Sequence, residues 1–318
     1  MAAVNGTWKS NRPRTVPLLV AAALASALAG CASPVLDPAA TPGPVVVAAP
    51  DGPVGDLLAE LYSGALRDAG IDATVSALPD DTAALAALDA GEVTLVPGYT
   101  GRLLHRFVPD AVETDAEDVF DALARAVPGD ATIADHAAAQ DRALLLTAAS
   151  ETAVGDTGQV AALPDVLDRC GEFTLVYTPG FEAAGGLAAL DRAGCIPRER
   201  ASSAGTEAVA AASTGGVLAG LTTTDPALSR QTPPGVAALR DAPDRTDGDE
   251  VDEAPTPVFP AQNVVPVFRK ESVTDTGLDA LRVVAGELTT ADLATMLERI
   301  GGGEDAAVVA GDWLSEHG

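Results

Sequence analysis

Gly91-Glu92-Val93-Thr94-Leu95-Val96-Pro97-Gly98-Tyr99-Thr100-Gly101 is the stretch whose reading decides the fold. Val93 to Val96 is a short apolar run, stopped by Pro97-Gly98. A buried parallel strand has this character: apolar along its length, with chain-breaking residues at its C-terminal end. In open α/β sheets, ligands bind outside the carboxyl ends of the strands. Tyr99 and Thr100 stand just past such an end, so Tyr99 is a candidate ligand contact. A rim tyrosine that caps the core is the alternative reading.

Working outward from this run, the chain alternates. Val45 to Ala49 reads as a strand ended by Pro50-Asp51-Gly52-Pro53. A helix follows with Leu57, Leu58, Leu61 and Ala65 on one face. Thr74 to Leu78 is a second strand, and Thr82 to Ala90 a helix with Leu85 and Leu88 inward. This β-α-β-α-β order predicts an α/β fold with a parallel sheet and helices on both faces. Residues 116–126 form a further amphipathic helix through Val119, Phe120 and Leu123. The pattern resumes with the apolar run Ala143 to Leu146. Phe173 to Tyr177 is then a strand ending in Thr178-Pro179-Gly180-Phe181, with one helix through Leu187, Leu190 and Ala193. The free N–H groups at that helix start suit a carboxylate, as those of any helix do. Val217 to Leu221 runs into Thr222-Thr223-Thr224-Asp225-Pro226. Two helices close the chain. One spans about 290–300 and starts at Thr289 or Thr290, lined by Leu293, Met296 and Leu297. The other runs from Gly303 to His317, with Val308, Val309, Trp313 and Leu314 inward.

The N-terminal thirty residues read as an address. Lys9, Arg12 and Arg14 precede an apolar stretch, Val16 to Ala29, too short to span a bilayer comfortably. It ends in Leu28-Ala29-Gly30-Cys31, which matches a bacterial lipobox. Residues 1–30 are therefore expected to be a lipoprotein signal peptide, with the thiol of Cys31 carrying lipid. Residues 31–44 form a Pro/Ala-rich tether without hydrophobic period. The expected location is the extracytoplasmic face of the cell membrane.

The 318 residues carry a net charge of −27 and 47% apolar residues. Such a chain can fill a substantial core. Its charge argues against nucleic acid or an anionic surface as a partner. With Cys31 lipidated, Cys170 and Cys195 remain, an even number in an exported chain, which favours a disulfide over two buried thiols. Residues 241–253 hold seven acids without the spacing of an EF-hand loop, and read as a solvated loop before a calcium site. His105, His136 and His317 stand alone, and no H-E-x-x-H, G-x-S-x-G, S-x-x-K or P-loop occurs. Nothing argues for an enzyme, a metal or a cofactor.

Several stretches together resemble the osmoprotectant-type (glycine betaine, carnitine, choline) solute-binding proteins of ABC importers. Residues 91–101 are similar to that family's G-E-(I/V)-D-L-Y-P-E-Y-T-G. Thr222 to Pro226 resembles D-x-(F/Y)-S-T-D-(G/P). Phe259-Pro260-Ala261-Gln262-Asn263-Val264-Val265-Pro266-Val267 resembles F-P-(P/A)-(Y/Q)-N-x-x-P-(V/L), and Ala285 to Thr289 resembles A-G-(K/E)-L-T. The segment 135–141 looks like the first crossover between lobes.

The resemblance implies a type II periplasmic-binding-protein fold. Lobe 1 would comprise 45–139 and 260–318, lobe 2 would comprise 140–259, and a hinge would close both on a small zwitterionic or cationic solute of the glycine betaine/choline class. ABC permease and ATPase subunits would be the partners of a monomeric binding protein. Tyr99, Thr100, Gln140, Asp141, Phe181, Thr222, Thr224, Asp225, Gln262 and Asn263 are the ligand-binding candidates. Quaternary ammonium binders of this family use an aromatic box. Here Val96 and Thr222 stand where the pattern has aromatic residues, Gln262 stands where many members have Tyr, and Pro50 to Pro53 replaces a K-N-F-T-like run. The remaining aromatics are scattered, so a more polar cleft is expected. A binding-fold lipoprotein without transport, acting as a sensor or envelope interaction protein, is the second reading. An enzyme on this scaffold is the third.

Overall fold

Residues 43–151, 153–154, 159–160, 162–229, 233–241 and 256–318 are described by the structure, a computed structural model. The expected leader, Cys31 and nearly all of the tether lie outside the described residues, as does the acidic run from 242 onward.

The described residues begin with β1 (Val45–Pro50), α1 (Pro53–Asp68), β2 (Ala73–Leu78), α2 (Asp81–Ala90) and β3 (Leu95–Tyr99). β1 pairs in parallel with β2 and with β3. Then come α3 (Thr100–Phe107), α4 (Ala116–Ala126) and β4 (Ala131–Ile133). β5 (Ala143–Ala148) opens the second sheet. A short ribbon of β6 (Ala153–Val154) and β7 (Gln159–Val160) and a short α5 (Pro164–Leu167) lead to β8 (Thr174–Tyr177). α6 (Pro179–Ala183), α7 (Gly186–Arg192), β9 (Glu199–Ser202), α8 (Gly205–Ala212), β10 (Val217–Thr222), α9 (Pro226–Ser229) and β11 (Val236–Ala238) complete that half. β12 (Val264–Arg269) returns to the first sheet, and α10 (Asp275–Glu287), α11 (Thr290–Gly301) and α12 (Ala306–His317) end the chain.

Two five-stranded sheets result, in the orders β2-β1-β3-β12-β4 and β11-β5-β10-β8-β9. They are mixed, which corrects the expectation of a parallel sheet. β12 runs antiparallel to β3 and β4, and β5 antiparallel to β10 and β11. The reason lies in the crossovers. Each enters its new sheet at the carboxyl end of a neighbour, Ala143 opposite Thr222 and Val264 opposite Tyr99. From there a strand has only the reverse direction open to it.

β3 also continues through Pro97-Gly98 instead of stopping there. Its register with β12 sets Pro97 opposite Pro266. The N–H of Thr100 donates to Asn263 O and that of Arg269 to Thr94 O, so these pairs are hydrogen-bonded. Antiparallel pairs alternate, and counting inward from either end makes Pro97–Pro266 a non-hydrogen-bonded pair. Two rings without N–H therefore cost the β3–β12 ladder no rung.

One face of the first sheet is covered by α1 and α10 to α12, packed through residues such as Leu57, Leu61, Tyr62, Leu281, Leu293 and Trp313. The other face carries α2, α3 and α4 through Leu88, Leu104, Val119 and Leu123. α10 was not expected from the sequence. α11 starts with a capping box between Thr289 and Asp292. On α12, Val309, Ala310, Trp313 and Leu314 face inward, while Val308 falls on the rim at 56% exposure, against expectation. The single helix expected after β8 is two, broken at Gly185 with φ of 81°. Cys170 and Cys195 are joined in a disulfide with Cα atoms 5.1 Å apart. Among the described residues no helix is long and apolar enough to cross a membrane.

Candidate functional site

A cavity of about 260 Å³ opens at the carboxyl ends of β1 and β3. Residues from the first turns of α1, α2 and α3 line it, among them Val54, Thr82 and Arg102. Leu58, Val96 and Leu103 give it an apolar side. Asp51, Asp81, Arg102 and Arg106 give it charge of both signs. α3 places Arg102 and Arg106 one turn apart, on the same face of the helix.

Tyr99 lines this cavity and is only 3% exposed. The Arg102 guanidinium stacks on its ring, 4.6 Å from the centroid. Burial, and secondarily the charge of Asp141, push the Tyr99 hydroxyl well above its ordinary pKa. Arg102 Nη2 donates to Asp141 Oδ2 at 2.7 Å, and Asp141 Oδ1 accepts from Thr224 Oγ1 at 2.6 Å. A chain of contacts thus runs from Tyr99 in the first half to Thr224 in the second. Two buried polar atoms along it, Tyr99 OH and Arg102 Nε, have no hydrogen-bond partner.

Around this chain the two crossovers are stitched together. Thr100 Oγ1 donates to Ala261 O at 3.3 Å and accepts from Asn263 N at 3.0 Å. Asn263 Nδ2 donates to Ala137 O. Gln262 spans the halves: its Oε1 accepts from Arg102 N and its Nε2 donates to Ala184 O, both at 3.0 Å. Gly101 permits this approach, because a Cβ there would lie 2.6 Å from Ala261 O and 2.7 Å from Gln262 Nε2. Gln140 donates from its N–H to Thr290 Oγ1, and its carbonyl accepts from Thr223 Oγ1. The Gln140 Oε1 is buried without a partner. Asp241 accepts from Val258 N and Phe259 N and pairs with Arg142 at 3.2 Å; burial raises its pKa.

The sequence candidates therefore separate. Tyr99 alone lines the cavity. Thr100, Gln140, Asp141, Thr224, Gln262 and Asn263 form the buried crossover network beside it. Thr222 ends β10 and is buried. Asp225 accepts from Ala227 N at the start of α9, and burial raises its pKa. Phe181 is fully buried in the second-half core, edge-on to Phe259, and does not reach the cavity. Sequence reasoning missed Asp51, Asp81, Arg102 and Arg106. Arg102 and Arg106, four apart behind a strand end, were a legible signal. Asp51 and Asp81 flank helix starts, where an acid reads as helix-end stabilisation.

A family model described as the substrate-binding domain of ABC-type glycine betaine transport systems (OpuAC) matches residues 43–316. No curated protein matches the sequence. Among solved structures, a glycine betaine/carnitine/choline ABC transporter is similar at TM-score 0.65 and 17% identity, over 86% of this chain and 98% of that one. Apo YehZ from Escherichia coli is similar at 0.61 and 21%, over 87% and 99%. Lactococcal OpuAC, closed on glycine betaine, is similar at 0.51 and 13%, over 86% and 95%. At these identities the likeness concerns the fold, which is the two-lobed one of periplasmic binding proteins.

Proposed function

The chain belongs to the family of substrate-binding domains of ABC-type glycine betaine transport systems, and we propose that it captures a small zwitterionic or cationic solute of the osmoprotectant class for an ABC importer. The observation that carries this reading is the family match along residues 43–316, nearly everything the structure describes. The cavity at the carboxyl ends of β1 and β3 supports it, because open α/β sheets bind ligands there. The family is one of binding proteins and not of enzymes.

In this proposal residues 45–139 with 260–318 act as one lobe and 140–259 as the other. They close by hinge motion at the crossovers, where Thr100, Gln140, Asp141, Thr222, Thr224, Asp225, Gln262 and Asn263 set the hinge and Tyr99 meets the solute. Residues 1–30 direct export, Cys31 carries the lipid, and the protein works as a monomer on the outer face of the membrane with permease and ATPase subunits. A lipid on Cys31 is tested by mass spectrometry of the N-terminal peptide; an unmodified thiol there overturns the anchor.

Solute capture is tested by a thermal-shift screen of the purified protein against betaine, choline, carnitine, ectoine, proline and polar amines. A ligand at a hundred times its dissociation constant adds about 2.7 kcal/mol of stability. A clear shift with at least one is expected. No shift with any of them counts against solute binding.

A further inference from the structure

Building on the solute-binding reading, we infer that the ligand is a zwitterion whose cationic end carries N–H groups, and not a quaternary ammonium compound. A quaternary ammonium offers no hydrogen bond. It is held by the faces of aromatic rings in a site that excludes water. Among the described residues, Tyr99 is the one aromatic residue lining the cavity. Its ring is 3% exposed, and a guanidinium already lies over it at 4.6 Å. Tyr62, on the inner face of α1, is sealed in the core, and Trp313 is packed in the same core from α12. Among the described residues that line the cavity, no ring face is open to a ligand cation.

The cavity offers instead two sets of charged partners. Asp51 and Asp81 are exposed on its lining, and among the described residues neither carboxylate makes a hydrogen bond or ion pair. Asp81 lies near enough for its charge to act on the Tyr99 hydroxyl. Carboxylates in this setting suit a donor cation, because a charge-assisted N–H···O bond is short, directional and strong. Arg106, also on the lining, is likewise without a partner among the described residues. Arg102 uses Nη2 on Asp141 and keeps Nε buried and unpartnered. A buried donor without an acceptor is costly, and an anionic group resolves that cost. Arg102 Nε, Arg106 and the Tyr99 hydroxyl make the receiving end for the ligand's carboxylate. Asp51 and Asp81 make the receiving end for its ammonium or amidinium.

Two N-methylation series separate this ligand class from the family's, because only the N–H count and the bulk of the cation change along them. The first is glycine, sarcosine, dimethylglycine and glycine betaine. The second is proline, N-methylproline and proline betaine. Calorimetric affinities of the full-length protein are expected to fall along at least one series, by roughly tenfold or more between a member with N–H groups and the quaternary one. Asp81→Asn is expected to flatten that difference, and Arg106→Gln to weaken every carboxylate-bearing member by roughly tenfold. A quaternary member binding as tightly as its N–H parent, with no fall along the other series, overturns the inference while leaving solute capture intact. So does binding of choline with no binding in either series, and so do unchanged affinities in both variants. Absence of binding by every compound, choline and carnitine included, counts against the solute-binding reading as well.

Discussion

Two strand ends in this molecule carry nearly the same turn and do opposite things with it. β3 ends in Pro97-Gly98-Tyr99, and β8 is followed by Pro179-Gly180-Phe181. At the first, the aromatic residue is the last of its strand, and a cavity with charges of both signs opens beside it. At the second, the aromatic residue sits inside the first turn of α6 and points into the core. There it meets Phe259 edge-on, with ring centroids 5.6 Å apart. What decides the second case is the absence of side chains opposite. A Cβ on Gly220 would lie 2.8 Å from the Phe181 ring, and one on Gly186 would lie 2.5 Å from its tip. Two glycines make the slot that the phenylalanine fills. The lesson is that a Pro-Gly-aromatic turn marks a strand end, but what lies across from the ring decides whether it faces a ligand or the core.

The sharpest way to break this contrast is to empty the slot. Phe181→Ala removes a fully buried ring and is expected to destabilise the protein by about 3–5 kcal/mol, read by denaturant unfolding. Ligand affinity extrapolated to the folded state should be unchanged. An affinity loss larger than the stability loss would return Phe181 to the cleft.

Next comes the pair beneath Tyr99. Arg102→Met leaves Asp141 buried without its cation, with 6% of its side chain exposed. Breaking a buried pair costs about 3–5 kcal/mol, and the partial exposure of Arg102 brings the expected loss to about 2–3. The second change Asp141→Asn should recover much of it, since Thr224 can still donate to the amide oxygen. Gly220→Ala then tests the slot from its other wall. It crowds the Phe181 ring and should cost about 1–3 kcal/mol, with no effect at the cavity.

These variants also mark what the sequence made legible. The alternation of apolar runs and turns revealed β1, β2 and α2 to within one residue at each end, and the apolar face of α1, because each apolar segment is closed by turn residues. The direction of β5 and β12 was hidden, because it depends on where a crossover lands and not on local pattern. Pro97 was misread as a stop, because its tolerance comes from a pairing position set by Pro266 far along the chain. In the site, Tyr99 was legible as a strand-end residue. Gln262 and Asp141 were legible only as motif members, while their bridging roles come from tertiary contact. Asp51 and Asp81 were passed over because acids near helix starts already have a local explanation.

A smaller effect is expected from pH. Burial raises the pKa of Asp225, so its neutral form is favoured in the folded protein. Its contribution to stability is fully present below the ordinary carboxylate pKa and is lost as pH rises through the raised value. Asp225→Asn keeps an acceptor for Ala227 N and removes that loss. The variant should gain on the parent protein above this window and match it below. A difference independent of pH would mean that the side chain acts only as a cap.

The smallest change in stability should come from the strand end that the cavity depends on most. The Tyr99 hydroxyl is buried and has no partner, so Tyr99→Phe removes a desolvated group that no protein atom satisfies. Stability should therefore stay within about 0.5 kcal/mol of the parent, or rise slightly. The ring, its stacking under Arg102 and the Arg102–Asp141 pair all survive the change. Ligand affinity should behave differently if the hydroxyl helps receive the ligand's carboxylate. It should then fall, for carboxylate-bearing solutes more than for choline. A protein equally stable but weaker in binding would separate the two strand ends cleanly, because Phe181→Ala is expected to lower stability and leave binding alone. Equal stability with equal affinity would make Tyr99 a rim residue of the core, and would leave Arg102 and Arg106 to hold the ligand's anionic end alone.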